Sequence, residues 1–343
     1  EYTTAAHAHG LATGFGDTAS VGIGGITLGG GIGYLVRKYG LTIDDLLAAE
    51  VVTADGQLLQ VDQGSHPDLF WALRGGGGNF GVATRFRLRL HPVSTVLGGM
   101  LLLPATPEVI EGFVAAAAAA PEELSTIANV MPAPPLPFIP PERHGELVVL
   151  ALVVHAGPLE DGERAVAPLR ALAAPVADLV HPMPYPEIYP PEEEEFHPTA
   201  ASRTMLVDAV DHHATAAIVE HLGASTAPMR VAQLRVLGGA MARVPAEATA
   251  FAHRASRLMV NVAAIYGRPE EAEVHQAWVD RFAAVLREGD ARAYVNFLGE
   301  EGQARVRQAY PGPTWERLAE VKRRYDPTNL FHLNQNIPPA TPR

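Results

Sequence analysis

The sequence predicts an α+β fold, and three observations carry that expectation. An Asp-Gly pair between two apolar runs marks an antiparallel hairpin near the start of the chain. Composition changes after about Val96, where glycine thins while alanine and proline rise. Beyond that point helical and strand patterns suggest an α+β unit built on an antiparallel sheet. At 343 residues, with roughly 150 per domain as a guide, two domains are expected rather than one.

Taken in order, residues 21–33 read V-G-I-G-G-I-T-L-G-G-G-I-G, a glycine density that argues against a stable helix or a packed strand there. Residues 44–61 form the hairpin around Asp55-Gly56. Pro67 to Leu73, with Asp68 in the first turn and glycines from Gly75 onward, reads as a short helix stopped by glycine and followed by a second flexible loop. Residues 82–90 alternate apolar with basic at period two, as a half-exposed strand does, and Pro92 ends it. Past the composition change come a helix over 107–120, a strand over 146–154, a helix near 159–172 and apolar strands near Val231 and Leu258. Residues 182–198, rich in proline and containing Glu192 to Glu195, read as an exposed loop. Helical patterns return over 269–287, 302–308 and 314–325, and no internal repeat is found.

The composition is that of an ordinary folded protein, 48% apolar and 19% charged with mean hydropathy +0.06, which excludes wholesale disorder. A net charge of −12 disfavours nucleic acid and anionic membranes as partners. No cysteine is present, so disulfides, thiolate metal sites and thiol nucleophiles are excluded. No apolar stretch reaches the length of a membrane span; the alanine run 115–120 is too short. The first residues do not form a signal peptide, and Glu1 is not an initiator methionine. A cytoplasmic location is expected, with secretion left open and the oligomeric state unassigned.

Two glycine-rich loops separated by a hairpin and a helix can bring many backbone N–H groups close to a ligand, because no side chain holds it off. A pyrophosphate is the natural occupant. Residues 22–27 nearly fit a dinucleotide fingerprint, but with no helix after them and no acidic residue at the ribose distance of a βαβ unit. A tight glycine turn in a β-rich domain accounts for the same residues.

The wider pattern is more specific. The run 22–33, then Arg37-Lys38-Tyr39-Gly40-Leu41, then Phe70-Trp71-Ala72-Leu73-Arg74-Gly75-Gly76-Gly77-Gly78-Asn79-Phe80-Gly81-Val82, resembles the FAD-binding domain of the berberine-bridge-enzyme-like flavoprotein oxidases. Tyr294-Val295-Asn296-Phe297 and residues 324–338, RYDPTNLFHLNQNIP, resemble that family's C-terminal segment. Gly238-Gly239-Ala240, Arg243-Val244-Pro245 and His253-Arg254 resemble the substrate domain of its bacterial members.

The resemblance implies part of a vanillyl-alcohol-oxidase type (PCMH-type) FAD lobe over residues 1–96. It implies a substrate domain with an antiparallel sheet covered by helices over 97–298, and a C-terminal segment, 299–343, returning to the FAD lobe. It implies hydride removal from a hydroxyl-bearing sugar or secondary metabolite to flavin N5, with dioxygen as electron acceptor. Gly22, Gly24, Gly25, Gly29, Gly30 and Gly31 would approach the pyrophosphate and flavin edge. Gly78, Asn79, Gly81 and Val82 would continue the cradle, and Asn334 and Asn336 would join it from the C-terminal segment. Tyr294 matches the family's Tyr-x-Asn motif as a base over the flavin, and Asn296 would orient it. A half-buried strand tyrosine with a satisfied hydroxyl is the plain alternative.

Three departures qualify the resemblance. The family's N-terminal FAD subdomain, with its Arg-Gly-Gly-Gly-His type loop, is expected before Glu1, and no such histidine motif occurs here, so no histidyl link to FAD is available from these residues. Thr18 stands where bicovalent members carry cysteine, which excludes a cysteinyl link. Ile32 stands where many members place a tyrosine, removing a second phenol near Tyr294. The chain therefore reads as a fragment of an oxidase or as a shortened product; the latter would be a flavin-free ligand-binding or interaction module.

Other chemistry finds little support. His7 with His9, and His212, His213 and His221, lack a completed metal-ligand set, and Glu192 to Glu195 read as a solvated loop. Ser20 and Ser65 lack a nucleophile elbow. His253 and Arg254 are read on a strand, where alternation would bury at most one of them.

Overall fold

Asp55-Gly56 turns the chain where the sequence places a hairpin: strand Leu46–Val52 pairs antiparallel with Leu58–Asp62, and Gly56 takes φ +81°. Strand Val82–Leu88 adds to the other side of Leu46–Val52, so the central strand of this three-stranded sheet is the most apolar one. The computed structural model describes residues 1–189, 199–287, 292–333 and 335–341. The chain divides into two units, Glu1–Pro92 with Gly239–Ala255 and Arg292–Arg343, and Val93–Gly238 with Ser256–Ala291. Residues 239–255 and 292–298, placed by the sequence reading in the middle domain, thus belong to the first unit.

In the first unit, helices Pro67–Leu73, Gln303–Ala309 and Pro313–Tyr325 bury Leu69, Phe70, Trp71, Val306 and Leu318 together with Leu46, Val51 and Phe80 of the sheet region. Helix Pro67–Leu73 has the predicted bounds, with proline at its first position, where the lost N–H has no helical partner anyway.

The glycine run departs from expectation, because Ile23–Gly29 is a helix. Propensity loses here to partners from outside the segment. Thr27 Oγ1 bonds back to Ile23 O, Asn296 Nδ2 donates to Ile26 O, and Leu28 O accepts from both Gly75 N and Gly77 N. Those contacts bury Thr27, Leu28 and Gly29.

The second unit is an eight-stranded antiparallel sheet. Its strand path runs His181–Pro184, Thr95–Pro104, Leu147–His155, Leu124–Pro132, Met229–Val236, Leu258–Tyr266, Thr199–Val207, with Ala177–Asp178 also on Thr95–Pro104. Side chains alternate between faces. Leu101, Val130, Val149, Leu234 and Val260 meet helices Pro107–Ala119, Leu159–Arg170, His212–Ala224 and Ala272–Leu286 in one core. The opposite face carries a row of polar side chains, Asn129, Gln233, Asn261 and Thr204, in direct register. The architecture is α+β, as predicted.

Residues 182–189 are not the exposed loop expected from their prolines. His181–Pro184 is an edge strand pairing with Thr95–Gly98, and the turn Tyr185–Ile188 buries Tyr185 and Ile188. An edge strand tolerates proline, whose missing N–H can face away from the ladder. Glu192 to Glu195 lie outside the described residues.

Candidate functional site

Gly22 precedes helix Ile23–Gly29, and no side chain caps that helix. A Cβ built on Gly22 or Gly25 would meet nothing within 4 Å, and one on Gly24 only Phe86 Cε2 at 4.0 Å. At this helix start the main chain is bare and open.

The far end of the same run is filled. Gly30 and Gly31 take φ +142° and +83°, conformations that L side chains rarely adopt. A Cβ on Gly29 would stand 1.8 Å from Asn296 Oδ1, one on Gly30 3.0 Å from Tyr294 Cε2, and one on Gly31 1.9 Å from Thr42 Oγ1. The turn Thr42–Asp44 fixes the strand of main chain from outside, Ile43 N donating to Gly30 O and Thr42 N to Gly31 O, each at 3.1 Å. These three glycines, expected to approach the pyrophosphate and flavin edge, have their Cα atoms covered by Asn296, Tyr294 and Thr42.

What they enclose is a phenol. Tyr294 is 1% exposed, and its oxygen accepts from Gly31 N and from Asn296 Nδ2, both at 2.8 Å. The turn Val295–Phe297 folds the chain back so that Asn296, two residues on, reaches that oxygen while also donating to Ile26 O at 3.0 Å. Tyr294 is not on a strand; it starts this turn, and Phe251 lies against it, the ring centroids 5.9 Å apart at 71°. The structure therefore brings Tyr294, Asn296 and Gly29 to Gly31 together.

The second glycine loop is joined to the first through Leu28 O, which takes Gly75 N at 2.9 Å and Gly77 N at 3.1 Å. Beneath it, Tyr310 donates to Gly75 O; burial, then the neighbouring Tyr294, pushes the Tyr310 phenol far up, so it stays protonated. Gly78 is open, and with Gly77, Asn79, Val295, Leu330 and Gln335 it lines a cleft of about 200 Å³.

Asn79 is otherwise engaged. Its Nδ2 donates to Gly76 O and Gln335 O, its Oδ1 accepts from Ile337 N, and its carbonyl accepts from Lys322 Nζ. The amide joins the loop to the C-terminal segment, with both of its N–H donors used there. Gly81 is bare because a Cβ would sit 2.6 Å from Val51 Cγ1 and Val52 O, and Val82 merely opens the exposed edge strand. Asn336 presents a buried Oδ1 with no hydrogen-bond partner among the described residues, while its carbonyl accepts from Gln303 Nε2. Asn334 lies outside the described residues.

Sequence reasoning missed several residues of this region. Lys322 and Asp326 are fully buried and paired, Lys322 Nζ also donating to Phe331 O. Their i, i+4 spacing was the available signal. His253 and Arg254 are both buried, because they lie in an irregular segment and not on an alternating strand. Among the described residues no group of three or more His, Cys, Asp or Glu could hold a metal ion, and no helix is long and apolar enough to cross a membrane.

Residues 293–338 match the family described as "Berberine and berberine like", and residues 2–62 match "FAD binding domain". An uncharacterized FAD-linked oxidoreductase of Bacillus subtilis, YgaK, is 30% identical over 348 residues, covering 96% of this chain and 73% of that protein. The chain belongs to the berberine-bridge-enzyme-like FAD-linked oxidoreductases. FAD is the cofactor of this family fold. The xylooligosaccharide oxidase of Thermothelomyces thermophilus is 26% identical over 95% of this chain and 69% of its own. Among solved structures, the 6-hydroxy-D-nicotine oxidase of Arthrobacter nicotinovorans superposes with a TM-score of 0.83 at 26% identity, over 98% of this chain and 76% of that one.

The residues present fit FAD in one specific respect. A diphosphate needs N–H donors it can approach closely. Gly22, Gly24 and Gly25 offer main chain where a Cβ would stand in open space, as does Gly78. No cysteine exists to bond the flavin.

Proposed function

We propose that this berberine-bridge-like chain takes part in oxidising a hydroxyl-bearing small molecule, a sugar or a secondary metabolite, with Tyr294 as the base. One observation carries the reading: the buried phenol oxygen of Tyr294 accepts two N–H hydrogen bonds, from Gly31 and Asn296. Both donors strengthen their bonds as negative charge builds on that oxygen, which is what a phenol needs before it can take a substrate hydroxyl proton. Asn296 is exposed while Gly31 is buried, so one of the two donors borders solvent. FAD, when bound, supplies the acceptor for the hydride and passes the electrons to dioxygen. Gly22, Gly24, Gly25 and Gly78 would hold its diphosphate against bare main chain. The substrate class is supported by the names of the relatives, one an oxidase of xylooligosaccharides and one of 6-hydroxy-D-nicotine.

The test is anaerobic mixing of FAD-loaded protein with xylobiose or 6-hydroxynicotine, following loss of the flavin's visible absorbance. Tyr294→Phe should slow reduction by roughly 10²–10⁴-fold, the usual worth of a positioned base. Unchanged reduction in Tyr294→Phe would exclude the base. A colourless protein that ignores added FAD would favour the flavin-free module.

A further inference from the structure

We propose that the buried ion pair Arg254–Asp44 is a positioning element for the Tyr294 phenol, holding it through two separate routes; the inference rests on the role proposed for Tyr294 only in its consequence for rate. Arg254 is 2% exposed. It meets Asp44 as a fork, Nη1 to Oδ2 and Nη2 to Oδ1, both at 2.7 Å, and Nη2 also donates to Thr249 Oγ1 at 2.8 Å. Its Nε is buried with no hydrogen-bond partner among the described residues. Taking these charges out of water is costly, so such a pair is weak evidence of stabilisation and better evidence of a geometry being held.

The first route runs through Asp44. Its Oδ2 also accepts from Leu41 N at 2.8 Å, which fixes the turn Thr42–Asp44. Thr42 N and Ile43 N of that turn hold Gly31 O and Gly30 O, and Gly31 N in turn donates to the Tyr294 oxygen. Gly40 allows the carboxylate in, since a Cβ there would lie 2.6 Å from Asp44 Oδ2. The second route runs through Phe251. The Arg254 guanidinium lies 5.4 Å from the Phe251 ring centroid, and Phe251 meets Tyr294 edge to face. Phe251 is wedged between both glycine loops: a Cβ on Gly30 would be 3.3 Å from its ring, and one on Gly75 2.4 Å from its main-chain nitrogen. Both routes converge on one oxygen, and neither needs Arg254 to touch a substrate.

The experiment uses the whole chain labelled with ¹³Cζ-tyrosine, without substrate, and the Tyr294 signal is identified by its loss in Tyr294→Phe. Arg254→Lys keeps the charge but not the fork, and Asp44→Asn keeps the shape but not the charge. Both should move the Tyr294 signal, whereas Val306→Ala, a cavity in the core of the same unit, should lower the melting temperature and leave that signal in place. If Asp44→Asn fails to fold, Arg254→Lys still decides. A lowered melting temperature with the Tyr294 signal unmoved in both variants would overturn the proposal. The reading of Tyr294 as base fails separately: if Tyr294→Phe reduces flavin normally while Arg254→Lys still moves the signal, the positioning role stands without the base. If Tyr294 is the base, Arg254→Lys should slow flavin reduction at least tenfold, with no further loss in the Tyr294→Phe background.

Discussion

Replacing Gly24 and Gly25 together by alanine should strengthen the fold and weaken FAD binding. Both residues lie inside helix Ile23–Gly29, and neither has a positive φ. Alanine in a helix interior is favoured over glycine by roughly 0.5–1 kcal/mol per residue. Nothing obstructs the new methyl groups: Gly25 has no atom within 4 Å of its Cβ position, and Gly24 has only Phe86 Cε2 at 4.0 Å. The pair should therefore gain about 1–2 kcal/mol, or roughly 2–8 °C in melting temperature at about 2–4 °C per kcal/mol for a unit of this size.

A diphosphate held against the same main chain would be pushed away by those methyl groups. Each charge-assisted bond lost is worth about 1.5–3 kcal/mol, so one such loss raises the FAD dissociation constant by roughly 10- to 100-fold. The assay is a thermal melt without FAD beside a titration of FAD fluorescence quenching. A higher melting temperature with unchanged FAD affinity would refute the assignment of this helix start to the cofactor. A lower melting temperature would refute the reading of its open space.

The remaining predictions concern burial. Lys322→Met leaves Asp326 buried without its cation and removes the donor to Asn79 O, so it should cost about 3–5 kcal/mol; Lys322→Met with Asp326→Asn should recover part of that, and a melt showing no recovery would refute the orphan-charge argument. Burial holds the His253 imidazole below its ordinary value, against the bond from its Nε2 to Gln308 O. The unfolded chain then binds the proton first, so this group's stabilisation is complete above about pH 6.5 and is lost as pH falls below it; His253→Gln should flatten the melting-temperature decline between about pH 6.5 and 5, and an unaltered slope would count against it.

What could be read from the sequence was local. The hairpin at Asp55-Gly56 and the helix Pro67–Leu73 carry their turn and capping residues within a few positions, and both form where expected. Helix Ile23–Gly29 could not be read that way, since the groups that hold it come from Gly75, Gly77 and Asn296. Strand Thr95–Pro104 went unread because Gly98 and Gly99 interrupt its apolar run; Gly99 takes φ +138°, and a Cβ there would strike Leu179 O at 2.2 Å. Tyr294 and Asn296 were legible as a Tyr-x-Asn pair, but the turn that brings Asn296 back onto the phenol was not.

The same distinction decides which glycines speak of a ligand. A glycine is needed wherever a Cβ has no room, and the cause lies either inside the protein or outside it. At Gly29, Gly31, Gly75 and Gly81 the space is already taken by Asn296, Thr42, Phe251 and Val51, so the protein alone accounts for them. At Gly22 and Gly25 the space is empty and the backbone is ordinary, so nothing within the chain requires glycine. Propensity even favours alanine in that helix. Glycine there leaves the main chain approachable, which suits the diphosphate proposed to lie against it.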